Sequence, residues 1–161
     1  RGELLATLTR SLGETEALAE SLAKVWDSPD SASALDEWAR HIGRAHPRIL
    51  AIARAVDHDR RSDPDAAQIW QQMMRNWGKG SRRLADWLHD EGRLGAPWTP
   101  ETAAEMIWAL MSWDFLERLT VDKRWSSARF AEHFSVLVKR TFLVSPSAGR
   151  SRRSASPADP E

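Results

Sequence analysis

The sequence predicts an all-α protein, and three observations support that class. Apolar residues recur at spacings of three and four between Leu4 and Leu143, which is the period of an α-helix. No run of alternating apolar and polar residues indicates a β-strand. Asp63-Pro64 and Thr99-Pro100 each place an N-cap residue before a proline, the favoured start of a helix. We therefore expect about six helices in an antiparallel bundle.

The first part of the chain predicts three helices. Leucines at helical spacing indicate a helix over residues 4–26, which ends in the polar segment 27–31. A shorter helix is expected over about 34–44. His46-Pro47 is expected to begin a third helix, which ends in the charged loop 57–61.

The helix that begins at Asp63-Pro64 is expected to be the centre of the core. It should continue to about Glu91, where Gly92 ends it. Its inward stripe repeats every seven residues with three-four spacing. The stripe consists of Trp70, Met73 or Met74, Trp77, Ser81, Leu84 and Leu88.

The helix after Thr99-Pro100 is expected to run to Leu119 and carries two apolar stripes, about 110° apart. A helix with two apolar faces needs two different neighbours. One stripe consists of Ala104, Trp108, Met111, Phe115 and Leu119. The other consists of Ala103, Ile107 and Leu110. A last amphipathic helix, from Ser126 or Ser127, places on one stripe Phe130, Phe134, Leu137 and Thr141.

Composition indicates a globular domain with a polar extension. The 161 residues contain 23 basic and 23 acidic side chains, so the net charge is zero and no basic surface for DNA stands out. The chain has no cysteine, and its apolar runs fall short of the ~18 to 20 residues of a membrane span, so we expect a cytoplasmic protein. Residues 1–144 should form one helical domain and residues 145–161 a disordered tail rich in Ser, Arg and Pro.

Nine tryptophans beside no tyrosine are the unusual feature of the composition. Trp38, Trp70, Trp77 and Trp108 fall on predicted inward stripes of different helices. Two interpretations stay open, an aromatic pocket for a hydrophobic ligand and ordinary core packing. Methionines on the same stripes fit either interpretation.

No motif for catalysis or metal binding is evident. His41 and His46 are five residues apart, which is not the i, i+4 spacing that places two metal ligands on one helix face. The glycines at 78 and 80 lack the spacing of a phosphate-binding loop, and no nucleophile elbow occurs. The sequence therefore predicts neither an enzyme nor a cofactor.

The segment WTPETAAEMIWAL at 98–110, residues 115–119, and RWS at 124–126 leading into Phe130 resemble the last two helices of TetR-family transcriptional regulators. RGELL at 1–5 resembles the point where the family's DNA-binding headpiece joins its first core helix. The resemblance covers residues 1 to about 143, and the helix-turn-helix that precedes this point in the family is absent from the given sequence.

The resemblance implies an effector-binding and dimerisation domain. Its partners would be a small hydrophobic or aromatic effector, a second copy of the chain, and operator DNA through the headpiece alone, with no membrane and no cofactor. The residues expected to line the effector pocket are Trp38, Ile42, Ile49, Ile52, Ala53, Trp70, Met74, Trp77, Trp108, Met111 and Phe115. Those expected to form a four-helix interface with the second subunit are Ala103, Ile107, Leu110, Phe130, Phe134, Leu137 and Val138. The alternative is a stand-alone all-α carrier or interaction protein with an apolar cavity.

Overall fold

A computed structural model describes residues 16–144, which are helical throughout apart from the connecting loops. Those residues form six α-helices and one π-helical turn, and they contain no β-strand beyond an isolated bridge between Leu94 and Leu143. The elements are α1 (Glu16–Trp26), α2 (Ser31–Asp59), α3 (Pro64–Asp90), α4 (Pro100–Leu110), α5 (Trp113–Glu117), the π-helix (Arg118–Asp122) and α6 (Ser127–Phe142). The all-α class is confirmed, with antiparallel packing between helices.

The predicted starts of α3 and α4 are confirmed by their caps. Asp63 accepts hydrogen bonds from the backbone N–H groups of Asp65 and Ala66, and Pro64 takes the first turn. Thr99 forms a capping box with Thr102, again with a proline at the helix start. Gly92 ends α3 in the left-handed conformation with φ +65°, which glycine adopts without strain.

The predicted break at His46-Pro47 is wrong, because α2 is one continuous helix over Ser31–Asp59. A proline inside a helix removes one backbone hydrogen bond and costs about 3 kcal/mol. Packing on both sides of this position offsets that cost, since Ala45 before it and Ala53 after it are buried. The prediction was based on the local effect of proline, because the sequence alone does not show how the surrounding helices pack against this position.

The predicted single helix over 100–119 is divided in the structure. α4 ends at Leu110, and Ser112 has an extended ψ of 131° before α5 begins. The bend lets Trp113 enter the interior, where its side chain is buried. A short π-helix then completes the segment, and such turns are frequent at functional sites.

The centre of the fold is α2, where the sequence predicted α3. α2 contacts α1, α3, α5 and α6, whereas α3 packs mainly on α2 and α4. The core cluster consists of Val25, Ala34, Leu35, Trp38, Ala39, Ile42, Leu84, Ala85, Leu88, Ala103, Ala104, Ile107, Leu116, Phe130, Phe134, Val138 and Phe142. Burial of this apolar surface, worth roughly 25 cal/mol per Å², holds the helices together.

α2 and α6 approach each other closely at Gly43. A Cβ atom there would lie 2.9 Å from the main-chain oxygen of Ser127, so only glycine fits without a shift. Further along the pair, Lys139 donates to the Asp36 carboxylate at 2.9 Å, and Ser135 also donates to it. Burial alone would raise the pKa of Asp36, but these two donors outweigh it and lower that pKa.

The end of α6 is joined to the loop after α3. The Gly95 N–H donates to the carbonyl of Phe142 at 2.8 Å, and the Val144 N–H donates to the carbonyl of Arg93 at 2.9 Å. Within residues 16–144, no helix is both long enough and apolar enough to cross a membrane. The expected helical residues 4–15 and the expected tail over 145–161 lie outside the described residues.

Candidate functional site

A small cavity of about 60 Å³ lies where α2, α3 and the α4–α5 bend meet. Its walls are apolar except for one imidazole. The lining side chains are His41, Ile42, Ala45 and Ile49 from α2, Trp77 from α3, Met111 from the bend, and Trp113 and Leu116 from α5. The ring centroids of Trp77 and Trp113 are 4.6 Å apart, with the planes tilted by 52°.

Four of the predicted pocket residues meet at this cavity, namely Ile42, Ile49, Trp77 and Met111. Because they come from three separate parts of the chain, the fold has brought them together across long sequence distances. This cavity is therefore the candidate ligand site.

Three predicted pocket residues lie in the packed core instead. Trp38 packs against Phe134 with centroids 5.4 Å apart, and Ala53 is fully buried. Phe115 packs against the same Phe134 at 6.0 Å. For these side chains the structure corresponds to the core-packing interpretation.

The other predicted pocket residues lie away from the cavity lining. The Arg60 guanidinium sits over the ring of Trp70, 4.5 Å from its centroid, which is a cation–π contact at the α2–α3 loop. Ile52 and Met74 are half-buried and do not line the cavity. Trp108 is 41% exposed on the outer face of α4.

The sequence interpretation missed four lining residues, which are Trp113, Leu116, His41 and Ala45. Trp113 and Leu116 were missed because the break at Ser112 changes the helical phase, so positions after it face differently from those in a straight helix. A serine followed by a tryptophan and an acidic residue fits a new helix start, and this signal was available in the sequence. His41 precedes the stripe residue Ile42 and was read only as a possible metal ligand.

His41 is the one ionisable group in the cavity wall. Its Nδ1 lies 3.1 Å from Oγ of Ser21 on α1, and that oxygen also accepts from Arg44 Nη2 at 2.8 Å. Burial, followed by repulsion from the Arg44 guanidinium, lowers the pKa of His41 to about 4. The imidazole is therefore neutral at pH 7. No group of three metal-ligating side chains is found in the part of the chain that the structure describes.

Ion pairs from α2 hold α5, the short helix that contributes part of the cavity wall. Arg54 Nη2 lies 2.6 Å from the Asp114 carboxylate and also pairs with Glu117. These ion pairs raise the pKa of Arg54 and tie both ends of the short helix to α2. Thr120 in the π-helix donates to the carbonyl of Leu116 at 2.9 Å.

The volume of about 60 Å³ limits what the cavity holds in this conformation. An engineered apolar cavity of about 150 Å³ accepts benzene, and drug-sized ligands occupy about 300 to 1,000 Å³. A ligand with more than a few non-hydrogen atoms would therefore have to displace part of the wall. The bend at Met111 and Ser112 is the point where the wall has the least regular backbone.

Two larger hollows have charged walls and are at least about as open to solvent as this cavity. One, of about 870 Å³, runs along α1 and α3 and includes Arg82, which is paired with Asp86 and Glu101. The other, of about 650 Å³, lies between α2 and α6 around the Asp36–Lys139 pair. Because an apolar ligand would remove water from these charged side chains, neither hollow suits such a ligand as well as the cavity does.

Three residues of the two α4 stripes lie otherwise than predicted, although Ala104 is buried in the core and Met111 lines the cavity, both of them inside as expected. Ala103 and Ile107, expected on an outer surface, are fully buried, whereas Trp108, expected in the cavity, is exposed. The bundle of the single chain covers the Ile107 side because α4 packs on α3.

Most of the predicted interface residues of α6 are likewise inside the chain. Phe130, Phe134 and Val138 are buried, while Leu137 is 42% exposed, and Leu110 at the end of α4 is half-buried. The large apolar side chains exposed on these two helices are Met106, Trp108, Val136 and Leu137.

Comparison with known proteins gives no further assignment: no family model, no curated protein and no solved structure matches the chain.

Proposed function

We propose that this chain is the effector-binding and dimerisation domain of a transcriptional regulator similar to the TetR family. A small hydrophobic molecule would occupy the cavity and favour one arrangement of α2, α3 and α5 over another. A DNA-binding headpiece preceding α1 would respond to that arrangement. A ligand shifts such an equilibrium only by its difference in affinity between the two arrangements.

The observation that carries the proposal is the convergence of Ile42, Ile49, Trp77 and Met111 on one apolar cavity. A second observation supports a route from the cavity towards α1. His41 lines the cavity, and its ring contacts Ser21 in the middle of α1. A change in the cavity wall therefore reaches the helix to which the headpiece would be attached.

The dimer surface in this proposal includes Trp108 of α4 and Leu137 of α6, which are exposed apolar residues. We expect a dimer at micromolar concentration in sedimentation velocity. The double variant Trp108→Glu, Leu137→Glu should be monomeric with an unchanged circular dichroism spectrum. Leu22→Glu, which charges an exposed apolar position on α1, is the matched control and should stay dimeric.

Two observations test the regulator assignment itself. The reading frame before Arg1 should encode a helix-turn-helix of about 50 residues, and its absence would end this proposal. Tryptophan emission from the unaltered chain should shift on titration with small hydrophobic molecules, because Trp77 and Trp113 line the cavity. A Trp77→Phe variant should lose part of that shift, because Trp113 still lines the cavity.

A carrier or interaction protein is the second candidate. It is favoured by one observation: Ile107, Phe130 and Val138 are buried within a single chain, so the core is complete without a partner. A chain that binds apolar molecules and remains a monomer at high concentration would support the carrier over the regulator.

A further inference from the structure

The hydrogen-bonding state of His41 follows from its neighbours. Ser21 is buried, with 5% of its surface exposed, so its hydroxyl depends on protein partners. Arg44 donates to the Ser21 oxygen twice, from Nη2 at 2.8 Å and from Nε at 3.2 Å. An arginine side chain only donates, and a serine oxygen has two lone pairs. Both lone pairs of the Ser21 oxygen are therefore used by Arg44.

The remaining hydrogen-bonding atom of Ser21 is its own hydroxyl hydrogen. The neighbour that can accept it is Nδ1 of His41, 3.1 Å away. A neutral imidazole has one acceptor nitrogen and one N–H donor. Since Nδ1 is the acceptor, the ring carries its proton on Nε2. Among the side chains that the structure describes, none is found within hydrogen-bond distance of that atom.

Among the described side chains that line it, the cavity therefore has hydrogen-bond donors and no strong acceptor. Its remaining walls are hydrocarbon, thioether and indole, and an indole N–H only donates. None of these described side chains is a carboxylate, so a cationic ligand would meet no opposite charge among them, and the Arg44 guanidinium lies on the far side of the Ser21 contact. A carboxylate ligand would lose its hydration in the apolar cavity and would find no cation among the same side chains to pair with.

We infer that the cavity recognises a small uncharged molecule with an apolar body and one hydrogen-bond acceptor oxygen, such as a ketone, which accepts the Nε2–H of His41. This inference rests on the proposed function, because it defines the ligand class of the same cavity. His41 is the group that orients the ligand, and the apolar walls supply the burial.

The experiment compares two probes of nearly equal shape, acetone and isobutene, which have few non-hydrogen atoms and differ in a carbonyl and a terminal methylene. Their affinities for the unaltered chain and for His41→Leu are measured by tryptophan emission and calorimetry. His41→Leu should lower the affinity for the ketone about tenfold relative to the affinity for the hydrocarbon, as expected for the loss of one buried hydrogen bond. His41→Gln, whose amide N–H can donate, should recover part of the ketone affinity.

The control is His58→Leu, the same substitution at an exposed histidine of α2, which should leave the ratio of the two affinities unchanged. Hydrocarbon binding with an unchanged ratio in His41→Leu would keep the proposed function and overturn the donor assignment. Failure of both probes to bind would overturn the cavity as a ligand site. The tautomer is also measurable on the unaltered protein by long-range ¹H–¹⁵N correlations, and a proton on Nδ1 would contradict the inference even if His41→Leu fails to fold.

Discussion

Trp98, in the loop before α4, donates its indole N–H to the main-chain carbonyl of Thr141 in α6 at 2.7 Å. The Trp98 ring also packs against Phe142, with centroids 5.1 Å apart. The start of α4 and the end of α6 are thereby fixed to each other through one side chain.

Replacement of Trp98 by phenylalanine should lower the free energy of unfolding by about 1 kcal/mol, because a half-buried hydrogen bond is lost while most of the ring contact stays. Trp98→Ala should cost more, about 3 kcal/mol, because the ring contact is lost as well. Urea denaturation of both variants measures the two values. At a protein concentration low enough to keep the chain monomeric, Trp108→Phe, at an exposed tryptophan, should change the free energy of unfolding by less than about 0.5 kcal/mol.

Gly43→Ala should destabilise the chain by about 1 to 3 kcal/mol, since its Cβ atom would lie 2.9 Å from the carbonyl oxygen of Ser127. The matched control is Gly78→Ala in α3, where a Cβ atom meets nothing within 4 Å. That substitution should stabilise by up to about 1 kcal/mol through helix propensity. Thermal and urea unfolding of the pair should give changes of opposite sign, and equal signs would contradict the close α2–α6 contact.

Alanine substitutions distinguish the buried face of α4 from the exposed face of α6. Ile107→Ala should cost about 2 to 5 kcal/mol, because it leaves a cavity in the core of a single chain. Leu137→Ala, on the exposed face of α6, should cost less than about 0.5 kcal/mol in the free energy of unfolding of the monomer. Chemical denaturation at low protein concentration separates these effects from dimer dissociation. A small cost for Ile107→Ala would restore its predicted place on an outer surface.

The pH dependence of stability should carry a contribution from His41. Its pKa is about 4 in the folded chain against about 6.5 in an unfolded one, so between these values the unfolded state binds the proton more readily. The stabilisation from neutral His41 is therefore fully present above pH 6.5. As the pH falls towards 4, the free energy of unfolding decreases by at most about 3 kcal/mol through this group. NMR titration of the ring measures the pKa directly. The difference between the pH profiles of the unaltered chain and His41→Gln isolates this term from the carboxylates.

The sequence predicts the parts of this fold that depend on local chemistry. Asp63-Pro64, Thr99-Pro100 and Gly92 define helix ends through caps and backbone conformation, and the structure confirms all three. Pro47 was misinterpreted because the helix through it is stabilised by neighbours distant in the sequence.

The candidate site was predictable only in part, for a related reason. Spacing identifies which side chains share a face, so Trp77 and Met111 were found. Spacing does not identify which face turns inward. Ile107 was therefore predicted on the outer surface and Trp108 in the cavity, whereas Ile107 is buried and Trp108 is exposed. The helix start at Ser112 has a local signal that the prediction overlooked, whereas the burial of Trp113 behind it depends on packing between distant parts of the chain.

The bridge between Leu94 and Leu143 has a mechanical consequence for the cavity. It closes residues 94–143 into a loop whose two ends are tied together, with Met111, Trp113 and Leu116 near its middle. If a ligand displaces this wall as proposed, neither end of the loop is free to move with it. We therefore expect the displacement to be taken up within the loop, at the turn around Ser112 and in the π-helix, where the backbone is least regular.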